Sequence, residues 1–268
     1  MKSNPIGIFD SGIGGLTVAN AISKAMPNET LIYFGDTAHL PYGEKSKKLI
    51  REYANGITDF LLQEKQCKAI VIACNTASAA AYEFLRDRHK GETPIINVID
   101  PVVESLVGQT THKKIGLIAT NTTIESGVYQ EKIHRRVPQL NVRALATPLL
   151  VPMIEEGYAN DKISHALIEN YLSKTELSDI DALILGCTHY PMIKAEINAF
   201  YQGIVQLIDS TDIMASKLKN ILEKENLSCA ARGAKNKFYI SDSSPHFDKS
   251  AQRFFKENIN LEYLNIWK

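Results

Sequence analysis

The sequence has only four cysteines with no C-x-x-C pair, a single tryptophan, no excess charge of either sign and no long apolar run. Each absence excludes something. Without C-x-x-C, neither a zinc knuckle nor a thioredoxin-like redox pair is available. Thirty basic and thirty acidic residues cancel to zero net charge, which removes the electrostatic basis for a partner such as nucleic acid or an anionic membrane surface. No stretch approaches the roughly 20 apolar residues that span a bilayer. The start, Met1-Lys2-Ser3-Asn4-Pro5-Ile6, lacks a signal-peptide run, and Asp10 comes too early for one. A soluble, cytoplasmic protein with free thiols is expected. His39, His89, His112, His134, His165 and His246 show no ligand spacing, so no metal is expected.

What is present is enough apolar residue, 44% of 268, for one large or two medium domains. Short apolar runs at Ile6–Phe9, Leu31–Phe34, Ala69–Ala73, Ile95–Val98, Ile115–Ala119, Val142–Ala146, Ala182–Leu185 and Val205–Ile208 read as strands. Helix-length stretches such as Leu16–Met26, Lys45–Glu64, Ala77–Arg88 and Ile124–Arg135 separate them. Strands without polar alternation are buried on both faces, so the expected fold class is α/β, with doubly wound parallel sheets. The chain also echoes itself. Ile6-Gly7-Ile8-Phe9-Asp10-Ser11 resembles Ile115-Gly116-Leu117-Ile118-Ala119-Thr120, and Ile70–Thr76 resembles Leu183–His189; the paired glycines stand 109 positions apart and the paired cysteines 113. Two similar halves follow: residues 1–99 with 210–268, carrying Cys74, and residues 100–209, carrying Cys187. The boundary is set at Asp100-Pro101, because proline disfavours a helical residue before it.

In such sheets ligands bind beyond the carboxyl ends of the strands. Four polar turns fall there: Asp10–Gly15, Gly35–Gly43, Cys74–Ser78 and Gly186–Pro191. Gly12-Ile13-Gly14-Gly15 is neither a dinucleotide fingerprint, since position 17 is Thr, nor a phosphate loop. Cys74 and Cys187 each end a strand and enter a helix, a setting that lowers a thiol pKa from about 8.5 towards neutrality. One such cysteine suggests a nucleophile; two, in facing halves, suggest a base on each side of one carbon. Asp10 stands ready to assist Cys74, and His189 to assist Cys187. Cys67 and Cys229 have no motif and read as small buried hydrophobes.

Phe9–Leu16, Gly35-Asp36 with Pro41-Tyr42-Gly43, Ala73–Ser78 and Gly186–Pro191 together resemble glutamate racemase, in order and over nearly the whole chain. The resemblance implies two α/β domains facing a central cleft, interconversion of L- and D-glutamate without a cofactor, and D-glutamate supply to peptidoglycan in a bacterial cytoplasm. It implies that Cys74 takes the α-proton from D-glutamate and Cys187 from L-glutamate, assisted by Asp10, His189 and Glu155. Ser11, Tyr42, Gly43, Asn75, Thr76, Thr188 and His189 match substrate-contacting positions. Asn121 or Thr122 stands where the family often has glycine, so no side-chain contact is assigned to that loop. A homodimer is implied by the resemblance, not by the residues. The chain lacks the long N-terminal extension of members that need a cell-wall-precursor activator, which argues against that control. Three rivals stay open: the same machinery acting on aspartate, a Cys187–His189 hydrolase dyad, and a two-lobed amino-acid binding protein.

Overall fold

The computed structural model describes residues 2–91, 93–107, 114–231, 233–243 and 245–267; His112 lies outside them. Strands β1 (Ile6–Asp10), β2 (Leu31–Gly35), β3 (Ala69–Ile72) and β4 (Ile95–Asn97) alternate with helices α1 (Leu16–Ala25), α2 (Lys47–Asp59) and α3 (Asn75–Arg88). Helix α4 (Ile99–Val107) then leads to β5 (Lys114–Ala119), α5 (Asn121–Glu125), α6 (Val128–Arg136) and β6 (Asn141–Ala146). Next come α7 (Leu150–Glu155), α8 (Lys162–Leu172), β7 (Ala182–Gly186), α9 (Lys194–Phe200) and β8 (Gln206–Asp209). The chain finishes with α10 (Ser210–Lys224), β9 (Lys237–Ile240), α11 (Pro245–Phe255) and β10 (Leu261–Tyr263).

The strands form two wholly parallel sheets, ordered β10-β9-β2-β1-β3-β4 and β6-β5-β7-β8. Residues β1 to β3 and the centre of the second sheet are buried on both faces, as their unbroken apolar runs require. In each sheet the order reverses at one point, between β1 and β3 and between β5 and β7. Ligands of doubly wound folds bind at such a point. Asp10 and Cys74 flank the first; Thr120 and Cys187 flank the second. The two sequence echoes therefore occupy equivalent places in two sheets. Helix α10 packs on both α1 and α4, joining the halves, and Lys237–Ile240 returns to pair with β2.

Three local expectations are corrected. Asp100 is helical despite the proline that follows it. It sits in the first turn of α4, where proline's missing N–H is harmless, and Asn97 Oδ1 accepts from the Ile99 and Asp100 N–H groups. The helix expected at Ile124–Arg135 is two helices, broken by Gly127 at φ +63°. Cys229 is half-buried, its thiol donating to Ala231 O, whereas Cys67 is 4% exposed in the core. Among the described residues no helix is long and apolar enough to cross a membrane.

Candidate active site

One cavity of about 260 Å³ lies between the carboxyl ends of the two sheets. It is lined by Asp10, Ser11, Tyr42, Gly43, Cys74, Asn75 and Thr76 from the first half, and by Glu155, Cys187, Thr188 and His189 from the second. Every expected site residue is thus brought to one place. At this size it suits a small metabolite better than the roughly 300–1,000 Å³ pockets of drug-sized ligands.

Cys74 is the N-cap of α3, and its sulfur accepts from the Ala77 N–H at 3.4 Å. Its thiol also reaches Ser11 Oγ at 3.7 Å. The lowered pKa expected of a strand-end thiol is not found at Cys74: burial and then the neighbouring Asp10 charge push it up to about 12, against these hydrogen bonds. Asp10 itself is 1% exposed. Its Oδ2 accepts from the Gly12 and Gly15 N–H groups at 3.2 and 2.9 Å, so the carboxylate also caps the glycine turn. Burial raises its pKa, although His189 and those N–H groups pull the other way. Oδ1 has no hydrogen-bond partner among the described residues.

Cys187 differs from the expectation of a helix start. The chain after it turns as a short 3₁₀ segment, Tyr190–Ile193, before α9. In place of a helix it has His189, whose Nδ1 is 3.7 Å from the sulfur. The far nitrogen, Nε2, is 2.9 Å from Glu155 Oε1 at the end of α7. Burial would lower the His189 pKa, but the hydrogen bonds and charges of Cys187 and Glu155 more than offset this and hold it well above the ordinary imidazole value. Phe254 of α11 meets the ring edge-to-face at 5.1 Å. Gly14 is the close-approach glycine of the first turn: a Cβ there would lie 2.3 Å from the ring.

Neutral donors complete the wall. Asn75 Oδ1 accepts from Tyr129 at 2.7 Å, while its Nδ2 is buried without a partner among the described residues. Thr76 Oγ1 lies 2.9 Å from Thr120 Oγ1 across the cleft. The Tyr42 hydroxyl proton is committed to Asp36 Oδ2 at 2.6 Å, so that group has lone pairs but no donor to offer. Among the described lining residues there is no lysine or arginine. A dicarboxylate in this cavity must be held by N–H and O–H groups and one imidazole.

The loop after β5, to which no contact is assigned from the sequence, reaches the cavity: Thr120 and Asn121 line it, and Thr122 Oγ1 donates to Gly43 O at 2.8 Å. The internal repeat carried that signal, since Thr120 is the counterpart of Ser11. Pro148, Val151 and Pro152 supply an apolar wall, and no motif marks them.

The profile of the Asp/Glu/Hydantoin racemase family matches residues 16–218. A glutamate racemase of Neisseria meningitidis is 42% identical over 254 residues, 94% of this chain and 93% of that one. Among solved structures, glutamate racemase from Francisella tularensis in complex with D-glutamate has a TM-score of 0.93 at 36% identity, covering 100% of this chain and 99% of the other. A Bacillus anthracis glutamate racemase isoform also has a TM-score of 0.93, at 32% identity and with 99% and 98% covered. With relatives this similar over almost its entire length, the chain belongs to the glutamate racemases of the Asp/Glu/Hydantoin racemase family.

Proposed function

We propose that the protein interconverts L- and D-glutamate by a two-thiol mechanism that needs no cofactor, in two domains (1–99 with 210–268, and 100–209) that close on the substrate. The observation that carries this is the placement of Cys74 and Cys187 at equivalent strand ends of two sheets, lining one cavity. From L-glutamate, the Cys187 thiolate takes the α-proton, the bond's electron pair passes into the α-carboxylate, and the Cys74 thiol returns a proton to the opposite face. The reverse direction exchanges the two roles. The Cys74 thiol, held protonated by burial and Asp10, suits the donor's part in the first of these. The developing charge on the carboxylate needs preorganised donors in a water-poor site. Asn75 Nδ2 is a donor that a substrate carboxylate meets already in the ground state, and the unpartnered Asp10 Oδ1 suits the substrate ammonium. Relatives named for glutamate favour it over aspartate, and D-glutamate supply to peptidoglycan is the role that follows.

The test is proton exchange in D2O with each enantiomer of glutamate and aspartate, inversion being followed by circular dichroism and α-proton loss by NMR. Wild type should invert and exchange glutamate alone. Cys74→Ser should lose inversion yet still exchange L-glutamate, and Cys187→Ser should exchange only the D form. Inversion surviving in either single variant, or an acyl-thiol adduct on Cys187, would sink the two-base reading.

A further inference from the structure

Tyr129, the second residue of α6, carries no step of the chemistry above. Its ring is 1% exposed, packed in the second half with Val102, Val103 and Ile133. Its hydroxyl crosses to the first half and donates to Asn75 Oδ1 at 2.7 Å. Asn75 directly follows Cys74 and opens α3. The amide's other end, Nδ2, is buried without a partner among the described residues, on a side chain 3% exposed that lines the cavity. An amide has nearly the same shape at its two ends but opposite hydrogen-bonding character. Whatever pins one end decides whether the cleft meets a donor or an acceptor.

We propose that Tyr129 is a positioning residue whose hydroxyl holds the Asn75 amide so that Nδ2 presents a donor to a glutamate carboxylate. The inference rests on the glutamate reading above. Burial, followed by the nearby Cys187 and Asp100 charges, pushes the phenol above its ordinary pKa, so the hydroxyl keeps its proton and donates at neutral pH. An unpinned amide samples both orientations, and the one that turns Oδ1 towards the carboxylate repels it, so part of the binding is lost. Because the hydroxyl comes from the opposite half, the donor is set only when the halves meet.

Tyr129→Phe deletes one oxygen. KM for both enantiomers should rise about tenfold, as for one lost buried hydrogen-bond partner, with kcat changed far less. In an Asn75→Ala background the same change should add less than about twofold, because the two residues act as one unit. Asn75→Asp keeps the acceptor for Tyr129 but turns an acceptor to the substrate, so its KM should rise at least as much. A folded Tyr129→Phe protein with wild-type KM overturns the inference, even if its Tm has fallen, since Tyr129 then only packs. So does a full further tenfold loss in the Asn75→Ala background. Should Tyr129→Phe not fold, a wild-type KM in Asn75→Asp overturns it equally. A wild type that neither binds nor inverts glutamate removes the functional reading and this inference together, a result distinct from an active wild type indifferent to Tyr129→Phe.

Discussion

Cys187 Sγ lies 3.7 Å from His189 Nδ1, a contact for which Cys74 has no counterpart. The two thiols end equivalent strands, yet one sits beside an imidazole backed by Glu155 and the other beside a helix N-terminus and a buried carboxyl. Pseudo-symmetry of the backbone has not imposed symmetry of the proton-holding groups. Racemisation does not require it, because each thiol need only exchange one proton with one face.

The first consequence concerns pH. Since folding raises the His189 pKa, the pairing contributes stability that is complete below the unfolded value of about 6.5 and is lost as pH rises through the folded one. Glu155→Gln removes one of the two anionic partners, so the folded pKa falls back. The alkaline limb of kcat/KM should move to lower pH, with a loss on the order of tenfold or more at pH 8. The loss must be equal for both enantiomers, whose equilibrium constant is one. A limb that stays in place would show that Glu155 does not govern this imidazole.

Asp10 gives the opposite balance of stability and activity. Its pKa is raised on folding, chiefly by burial. Such a carboxyl contributes stability at acid pH and loses it as pH rises from the unfolded value, near 3.9, through the folded one. At neutral pH the buried charge is therefore a cost. Asp10→Asn keeps an oxygen for the Gly12 and Gly15 N–H groups and removes that charge. Unfolding at pH 7 should show a gain of about 1 kcal/mol, while racemisation falls on the order of a hundredfold. A less stable protein with full activity would contradict both halves of the argument.

The sequence made the architecture legible because parallel strands buried on both faces leave unbroken apolar runs, and Cys74 and Cys187 recur at matching run ends. Thr120 is legible too, through its pairing with Ser11, although the loop after it departs from the family pattern. What the Asp100-Pro101 pair does not do is keep Asp100 out of a helix: the bias against a helical residue before proline yields in a first turn capped by Asn97. The 3₁₀ turn after Cys187 and the Tyr129–Asn75 contact were invisible. The contact joins residues 54 positions apart, where no spacing rule applies, while the turn is local, with Pro191 in its first residues.

Gly14 tests whether the first half really shapes His189. The glycine belongs to the turn after β1, yet an added Cβ would sit 2.3 Å from both Cε1 and Nδ1 of His189 and 2.7 Å from Thr188 Oγ1. The ring cannot give way freely, since Glu155 holds Nε2 and Phe254 packs against it in a T-shaped contact. Gly14→Ala should cost about 1–3 kcal/mol in stability, as overpacking does, and depress kcat far more than Tm suggests. Wild-type kcat in this variant would mean that the halves stand further apart during turnover than the closed arrangement requires.

The last prediction separates stability from catalysis. Lys68 precedes β3 at the end of the sheet opposite the cleft. Its Nζ donates to Glu29 Oε2 at 2.5 Å and to the carbonyls of Lys2 and Leu227 at 2.6 and 2.8 Å. The two side chains are only 1% and 3% exposed, and Glu29 Oε1 accepts from the Cys229 N–H. The pair ties the chain start and the segment after α10 to the strand-entry end of the first sheet. Lys68→Met would strand the Glu29 charge in the interior, which typically costs about 3–5 kcal/mol. For a chain of this size Tm should drop by roughly 10 °C. Replacing both partners, Lys68→Met with Glu29→Leu, should recover much of that loss, because no uncompensated charge is left. At temperatures where all three proteins are folded, kcat and KM for glutamate should match wild type. A changed KM would mean that strain at this end of the sheet reaches Asp10 and Cys74 at the other.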